Sequence, residues 1–501
     1  MKVLLMHPDR NFALQQALPR HAAMLAQDLE LDTLLQTMAG TDEFALKVAR
    51  KALIGGTGND VETIVYRQEV LKDSLASPAV IRQLYELAWE AIEGKRKGYW
   101  SFSTDYPSST LYSAINILQL FMGVLQKLKA IADGQAGQCQ SRGLTALFAL
   151  LRNEFSDAYF AEIQTHLTEL KFGKGVLLSA QLGEGNEGTH YMLRQSHGKR
   201  PGLIKRMLGK GPPAFTFRLA DRDEAGAKTL SRIKDRGINL VANALAQSTD
   251  HILGFFETLR AELAFYVCCL NLHDRLARLG APTCFPQPAV TGIGELHFAA
   301  LYDPCLALGM ERQPAGNSLD AVGKRLLVIT GANQGGKSSF LRSLGVAQLM
   351  MQAGMFVAAE SFGAALCNGL FTHYKREEDA TMKSGKFDEE IGRMSAIADD
   401  ITSGSMLLFN ESFASTNERE GSEIARQVVS ALLEKGIQIL FVTHLHMFAR
   451  GLFDSGMANA LFLRAERLAD GTRTFRLREG EPLETSYGED LYRQIFQDGM
   501  E

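Results

Sequence analysis

One glycine-rich segment constrains this chain more than any other feature of its 501 residues. Residues 331–338 read Gly-Ala-Asn-Gln-Gly-Gly-Lys-Ser, which fits the pattern G-x-x-x-x-G-K-[ST]. The mostly apolar run 325–330 before it is typical of a buried strand, and residues 339–354 after it are typical of a helix. A strand, a glycine-rich loop and a helix in this order form a phosphate-binding loop. The sequence therefore predicts an α/β domain that binds a nucleotide.

The chemistry of a nucleotide phosphate explains the residue types in this loop. Glycines let backbone N–H groups close around phosphate oxygens, and the start of the following helix adds partial positive charge. We expect Lys337 to reach the β- and γ-phosphates and Ser338 to bind Mg²⁺. The predicted nucleotide-binding residues are Gly331, Asn333, Gln334, Gly335, Gly336, Lys337, Ser338 and Ser339.

Two further apolar runs end in polar residues. Residues 406–409 lead into Asn410 and Glu411, and residues 437–443 end at His444. Strand-end polar residues converge on ligands in parallel sheets, so we expect Glu411 to polarise the attacking water and His444 to contact the γ-phosphate. Each residue taken alone is more typical of a structural role. The phosphate loop upstream favours the catalytic interpretation.

Asn410 is unexpected, because this strand end normally supplies a carboxylate that holds Mg²⁺ directly or through water. An amide brings no charge, which lowers the expected metal affinity or turnover. The predicted metal site therefore consists of Ser338 and Glu411, with Asn410 behind them and outside direct contact with the ion. Since Glu411 is present, we predict slow hydrolysis rather than none.

The phosphate loop and the segment after Asn410 resemble the MutS family of DNA mismatch-repair ATPases, which is an ABC-type group. Residues 330–338 match T-G-x-N-x-G-G-K-S, and residues 411–425 match the family's signature segment in length and in three residues. That segment follows the Walker-B strand in this family instead of preceding it. Other matches are Phe371-Thr372, residues 384–390, Thr443-His444 and residues 486–488, so that the ATPase resemblance spans roughly residues 290–495.

The resemblance implies ATP and Mg²⁺ as cofactors and a homodimer in which two ATPase domains pair head to tail. Ser415, Thr416 and Asn417 would then face the phosphate loop of the partner subunit; helix capping is their alternative role. The choice of ATP over GTP also rests on the resemblance. We expect a short member of the family, without the N-terminal mismatch-reading domain and without a C-terminal nuclease domain.

The fold class predicted for the whole chain is multidomain. Residues 1–165 and 225–285 have apolar residues at helical spacing and resemble the family's core and lever regions. Residues 172–222 are expected to form a small basic β insertion between them, with strands at 175–182 and 214–219. Residues 290–501 are expected to form an α/β P-loop ATPase domain of ABC type with a C-terminal helical dimerisation segment.

The β insertion occupies the place of the family's DNA clamp. Basic side chains without intervening acidic ones suit contacts to a phosphate backbone, although a solvated loop that binds nothing is an equally good interpretation. The predicted nucleic-acid contacts are Arg194, Lys199, Arg200, Lys205, Arg206 and Lys210.

Composition restricts the remaining possibilities. Fifty-three Lys and Arg against 57 Asp and Glu give a formal net charge of -4, which excludes a wholly basic nucleic-acid coat protein. Six cysteines without C-x-x-C spacing argue against a disulfide framework and a zinc site. With no signal peptide or long uninterrupted apolar stretch, the sequence predicts a cytoplasmic protein that does not span a membrane.

These features lead to two hypotheses of function. The first is a nucleotide-gated dimeric clamp that acts on DNA, with branched or recombination DNA as a candidate target, and without the usual mismatch reading. The alternative is a slow or non-hydrolysing nucleotide switch whose partner is a protein or a structured RNA.

Overall fold

The computed structural model of this chain describes residues 2–99, 106–135, 137–173, 175–194, 218–220, 222–290, 294–376, 385–468 and 471–483. Helices dominate the first part of the chain. In chain order the α-helices of the described residues are α1 (Ala22–Asp28), α2 (Leu31–Ala39), α3 (Glu43–Ile54), α4 (Val61–Ala76), α5 (Pro78–Tyr99), α6 (Pro107–Gly134), α7 (Arg142–Glu154), α8 (Asp157–Glu169), α9 (Glu224–Arg278), α10 (Pro304–Met310), α11 (Lys337–Gln352), α12 (Lys386–Asp400), α13 (Glu418–Glu434) and α14 (His446–Asp454).

The strands of the described residues form three sheets. In chain order they are β1 (Leu177–Leu182), β2 (Gly188–Arg194), β3 (Gln287–Ala289), β4 (Leu296–Leu301), β5 (Asn317–Asp320), β6 (Leu326–Gly331), β7 (Ser361–Ala365), β8 (Leu370–Tyr374), β9 (Met406–Asn410), β10 (Gln438–Val442), β11 (Ala460–Arg467) and β12 (Arg473–Glu479). β1 and β2 form an antiparallel hairpin. The second sheet has the order β3-β7-β4-β5, and the third has the order β12-β11-β6-β10-β9-β8.

Packing divides the chain into two units that differ from its linear order. One unit contains Gln83–Gln138 and Ala146–Arg260, and the other contains Lys2–Arg82, Cys139–Thr145 and Ala261–Glu501. Residues 2–82 therefore pack with the C-terminal α/β part of the chain. The domains predicted from the sequence follow changes of secondary structure and not packing. Their borders stay predictions; the predicted segments are 1–165, 172–222, 225–285 and 290–501.

The six-stranded sheet forms the centre of the α/β part. All its strand pairs are parallel except β11 with β12. Every residue of β6 is buried, as expected for a parallel strand that is covered on both faces. On one side, α13 and α14 contribute Val429 and Phe448 to a core that also contains Phe409 and Phe441. This buried sheet is a rigid base for the loops at its edge.

Residues 2–82 are tied to the α/β part by buried polar contacts. The Glu262 carboxylate accepts hydrogen bonds from the backbone N–H groups of Leu5, Met6 and Phe12. At the other end, Arg67 donates through Nη1 to the carbonyl oxygen of Ala353 (3.2 Å), directly after α11. Asn59 likewise donates to the Gln352 carbonyl, at 2.8 Å. Because the last carbonyls of a helix lack partners within it, these side chains complete the C-terminal end of α11.

The other unit is mostly helical. Phe121 of α6 and Phe256 of α9 pack with their ring centroids 5.2 Å apart, and Lys95 pairs with Asp250 at 2.7 Å. Within the described ranges, α6 is long and apolar enough by length and composition to cross a membrane. Its most apolar stretch is 56% buried inside the protein, and the core helix of a soluble protein meets the same two criteria.

The helical character predicted for residues 225–285 is confirmed over most of that range by α9, and the strand expected at 175–182 corresponds to β1. Its partner in the hairpin, β2, occupies residues that the sequence analysis did not assign to a strand. The strand predicted at 214–219 lies largely outside the described residues. All six cysteines are free thiols in the structure.

Candidate functional site

The glycine-rich segment connects β6 to α11, which is the strand–loop–helix order that the motif requires. Gly331 (φ 108°) and Gly336 (φ 88°) have backbone conformations that favour glycine. A Cβ atom on Gly331 would approach the backbone nitrogen of Ala465 to 2.9 Å. One on Gly336 would lie 3.3 Å from the carbonyl oxygen of Phe475. The loop is therefore enclosed by β11 and β12, and larger residues do not fit at these two positions.

Lys337 is the first residue of α11 and is buried. Its Nζ donates hydrogen bonds to the carbonyl oxygens of Gly331 (3.0 Å) and Ala332 (2.9 Å), so that the ammonium group lies inside the curl of the loop. Burial lowers the pKa of Lys337 to about 8, against the opposing effect of the Glu411 carboxylate. A buried ammonium without a full countercharge is a good binding partner for an anion.

The lowered pKa of Lys337 predicts a pH dependence for the binding of a nucleotide. Below its pKa of about 8 the amine is already charged, and binding should not depend on its titration. Above that value, binding must first add a proton, so each further pH unit should weaken the affinity about tenfold until the pKa of the bound state is reached. Calorimetric titration with ATP between about pH 6.5 and about pH 9.5 measures this step. A Lys337→Arg variant that still binds is the control, since its charge does not titrate there. A flat wild-type profile would contradict the assignment.

The carboxyl ends of β6, β10 and β9 meet beside this loop. Val442 is in register with Ile329 on one side and with Asn410 on the other. The Ser338 hydroxyl donates to Oδ1 of Asn410 at 2.9 Å. The predicted convergence of the strand ends is therefore present in the structure.

Oxygen atoms of Ser338, Asn410 and Glu411 suit a hard cation such as Mg²⁺. The described part of the chain contains no cluster of three or more His, Cys, Asp or Glu side chains that could hold a metal by themselves. That arrangement fits Mg²⁺, which usually keeps water and substrate phosphate oxygens among its ligands. The neutral Asn410 supplies geometry to this site without charge.

Glu411 and His444 form a pair in which Nε2 of His444 lies 3.2 Å from Oε1 of Glu411. Both side chains are partly exposed, at 35% and 30% respectively, so a ligand can reach them. The hydrogen bond from His444 lowers the pKa of Glu411 and keeps its carboxylate ionised at neutral pH. Glu411 also has a left-handed backbone (φ 55°), and its N–H donates to the Val442 carbonyl at 2.8 Å. The strand end therefore turns sharply at this residue.

The loop after Glu411 is supported by residues that the sequence analysis did not assign to the site. Nε2 of His373 lies 3.0 Å from the Glu390 carbonyl, which can only accept, so this nitrogen carries the proton. Burial lowers the pKa of His373 to about 4, and its Nδ1 lies 2.8 Å from the oxygen of Ser412, whose hydroxyl donates to the backbone carbonyl of His373 at 2.6 Å. The Glu390 carboxylate accepts from the backbone N–H of Phe413. The sequence feature that could have indicated this supporting role is a histidine within the otherwise apolar strand β8.

The three predicted signature residues lie just before α13. Asn417 is its N-cap and accepts from the backbone N–H of Glu420 at 3.0 Å, while Thr416 donates to the Glu420 carboxylate at 2.8 Å. Asn417 therefore caps the helix and Thr416 contacts its first turn, and the role of Ser415, Thr416 and Asn417 toward a partner subunit stays a prediction. The glycine at position 421 is explained by sterics, because a Cβ there would meet the carbonyl oxygen of Phe413 at 2.2 Å.

The remaining predicted residues lie at the loop surface or outside the described part. Asn333, Gln334 and Ser338 are exposed, and Ser339 is half-buried. Arg194 lies on β2, where its Nε donates to the Ser179 hydroxyl at 2.9 Å. The other nucleic-acid candidates fall outside the described residues; they are Lys199, Arg200, Lys205, Arg206 and Lys210.

Fold and site together define a multidomain α/β protein with a glycine-rich G-x-x-x-x-G-K-S loop at one edge of a mostly parallel sheet. Two family models match this chain: the MutS2 N-terminal domain over residues 59–279 and MutS domain V over residues 327–490. Together with homologues of the same name, they identify the chain as a member of the MutS family. The resemblance expected from the phosphate loop and the signature segment is thus confirmed.

Three curated relatives illustrate the extent of the similarity. The chain is 34% identical over 139 residues to endonuclease MutS2 of Thermus thermophilus and 28% identical over 193 residues to DNA mismatch repair protein MutS of Syntrophomonas wolfei. It is 31% identical over 241 residues to MutS protein homolog 4 of Homo sapiens. These alignments cover 27%, 38% and 47% of this chain, but only 18%, 22% and 25% of the relatives. The similarity therefore spans a quarter or less of each relative.

Proposed function

We propose that this chain binds and slowly hydrolyses Mg²⁺-ATP and acts as a nucleotide-gated dimeric clamp on DNA. One observation carries the nucleotide part of the proposal: the buried Lys337 ammonium lies in the curl of the phosphate loop. The Glu411–His444 pair at the neighbouring strand ends supports hydrolysis, because a reacting phosphate needs a water-polarising carboxylate close by. Membership of the MutS family supports DNA as the partner.

In this mechanism each side chain has a limited task. The loop N–H groups and Lys337 bind the β- and γ-phosphates, and Ser338 orients the metal side of the site. Bound Mg²⁺ neutralises charge on the phosphates. Glu411 accepts a hydrogen bond from the attacking water, and His444 exchanges its contact with Glu411 for one with the γ-phosphate. Binding of ATP thereby frees the carboxylate that acts on the water.

The proposal of slow turnover depends on Asn410. Its Oδ1 accepts the Ser338 hydroxyl at 2.9 Å, so an Asn410→Asp substitution adds a negative charge at that contact with little change of shape. We expect this variant to need less Mg²⁺ for half-maximal turnover and to hydrolyse ATP faster, each by about tenfold, the lower end of the usual effect of residues that support metal ligands. Steady-state assays over a Mg²⁺ titration measure both quantities. An unchanged rate with an unchanged Mg²⁺ requirement would refute this explanation.

The dimer and the DNA contacts complete the proposal. Two phosphate loops would each face the Ser415–Asn417 segment of the partner, and the partial positive charge at the start of α13 would favour the γ-phosphate there. Closure of the dimer by ATP then supplies a two-state element that can move the helical part of the chain. Arg194 and the basic residues after it would contact the DNA backbone. A homodimer in the cytoplasm is the proposed working form.

The experiment that tests this function is steady-state ATP turnover with different nucleic acids. The additives are none, plain duplex, mismatched duplex, a four-way DNA junction and structured RNA, and a Lys337→Ala variant is the blank. Selective stimulation by the junction supports the clamp, and its binding should weaken as salt is added, because phosphate contacts release counterions. Lack of any salt-sensitive DNA affinity at low ionic strength would contradict the clamp.

A second function is favoured by one observation, the uncharged Asn410 at the metal side of the site. A site that binds Mg²⁺-ATP but barely hydrolyses it can act as a switch, in which the bound nucleotide selects one conformation. The partner is then a protein or a structured RNA. A flat, near-blank rate with every additive in the turnover assay favours this switch over the clamp.

A further inference from the structure

Arg473 is a second cation at the phosphate loop that the motif does not include. It is the first residue of β12, which pairs with β11, and β11 pairs in turn with β6 at the start of the loop. Its Nη1 donates to Oε1 of Gln334, a loop residue, at 3.3 Å. Its charge also contributes to the lowered pKa of Lys337, behind burial of the lysine and against the effect of Glu411. The hairpin of β11 and β12 therefore carries this guanidinium to the nucleotide site.

The hydrogen bonding of Arg473 is incomplete. Its Nε and Nη2 atoms are buried and have no hydrogen-bond partner within the described part of the chain. Buried N–H groups of a charged side chain are costly when they are unsatisfied, and arginine binds phosphate by two parallel hydrogen bonds. The existing acceptor is the neutral amide of Gln334, which is an exposed residue. A phosphate oxygen is a stronger acceptor for the same guanidinium than an amide.

The charges of the site lead to the same conclusion. Lys337 and Arg473 are cations and Glu411 is an anion, while Asn410 is neutral where a carboxylate normally stands. A site with a carboxylate at position 410 and without Arg473 would have a net charge lower by two units than the site of this chain. A site of that kind attracts polyphosphate by itself, since its own cations replace part of the charge that Mg²⁺ otherwise supplies.

We infer that Arg473 contacts a phosphate group of the bound nucleotide and makes the binding of that nucleotide largely independent of Mg²⁺. This inference rests on the proposed nucleotide function and extends it. Gln334 is displaced from Nη1 when the nucleotide enters, and the guanidinium takes the phosphate oxygen in its place. Binding without the metal and hydrolysis with it then become separate events at one site.

The test is calorimetric titration of the full chain with the non-hydrolysed analogue AMP-PNP, once with Mg²⁺ and once with EDTA. We expect the wild type to bind in both conditions, with dissociation constants within about tenfold of each other. Arg473→Ala should weaken binding in EDTA by about 10- to 100-fold, the usual effect of removing hydrogen bonds to a charged group, and should weaken it less with Mg²⁺. Asn410→Asp should also make the binding of AMP-PNP depend more strongly on Mg²⁺, because it adds a negative charge beside the phosphates.

Arg476→Ala is the matched control, as it removes an exposed arginine three positions along the same strand. It should bind as the wild type does in both conditions. If the wild type binds in EDTA and Arg473→Ala binds there equally well, the inference is wrong and the proposed function stands. If the wild type binds only with Mg²⁺, the inference is also wrong. If the wild type binds in neither condition, both the inference and the proposed nucleotide function fail.

Discussion

Substitution of Lys337 by alanine is expected to weaken ATP binding by at least about 100-fold and to reduce turnover to the background of the assay. The ammonium donates to two loop carbonyls in the structure and is available to exchange them for phosphate oxygens. A methyl group offers neither charge nor a donor. Because burial of this charge disfavours the folded state without nucleotide, the thermal stability of the empty protein should not fall. Calorimetric titration with ATP and a thermal unfolding curve measure the two effects.

Two further variants separate loss of charge from loss of packing. Lys337→Met retains most of the side-chain volume but has no charge, and we expect it to bind as poorly as the alanine variant. Lys435→Ala removes an exposed lysine after α13 and should leave binding unchanged. ATP affinity within a few-fold of wild type in Lys337→Ala would show that the loop does not bind the nucleotide in the way proposed.

Substitution of Glu411 by glutamine should lower turnover by about 100- to 1,000-fold, which is the usual contribution of a residue that acts on a reacting proton or water. The amide keeps an oxygen that can accept from His444, 3.2 Å away in the wild type, so nucleotide binding should persist. A clamp that needs hydrolysis for release should then stay bound to its nucleic acid in the presence of ATP. Rates of dissociation from DNA, measured together with turnover, test both statements.

The glutamine variant also distinguishes the two candidate functions. A switch that only binds nucleotide should behave almost as the wild type does, because it does not depend on the water-polarising carboxylate. Glu434→Gln is the control, since this exposed residue ends α13. Turnover that remains near wild type in Glu411→Gln would exclude Glu411 from the reaction, whichever function is correct.

The parts of the site that depend on local order along the chain were predictable from the sequence. The loop from Gly331 to Ser338 has its own motif, and its flanking strand and helix are adjacent to it in the chain. Asn410, Glu411 and His444 were predictable for a different reason. Each follows an apolar run that is buried in the sheet, and parallel strands present their carboxyl ends at one edge.

Contacts between distant segments were not predictable in this way. Arg473 reaches the loop only because β12 folds back on β11. Every residue of β12 is at least partly exposed, so a hydrophobic pattern does not specify how this strand pairs. The same limitation applies to Glu262, which accepts three backbone hydrogen bonds from the N-terminal segment. A carboxylate in a long helix gives no sign of a partner so far away in sequence. His373 was overlooked because β8 is otherwise typical of a strand in the hydrophobic core.

The split packing of the chain affects how the protein can be divided into fragments. The border between the two matching family models lies between residues 279 and 327, but residues 59–82 belong to the same packing unit as the phosphate loop. A recombinant piece cut at that border would separate Asn59 and Arg67 from the carbonyls of Gln352 and Ala353, and would uncover the far end of the helix that begins at Lys337. An expression fragment that keeps this packing unit together therefore has to combine residues 2–82 and 261–501 with Cys139–Thr145 by linkers.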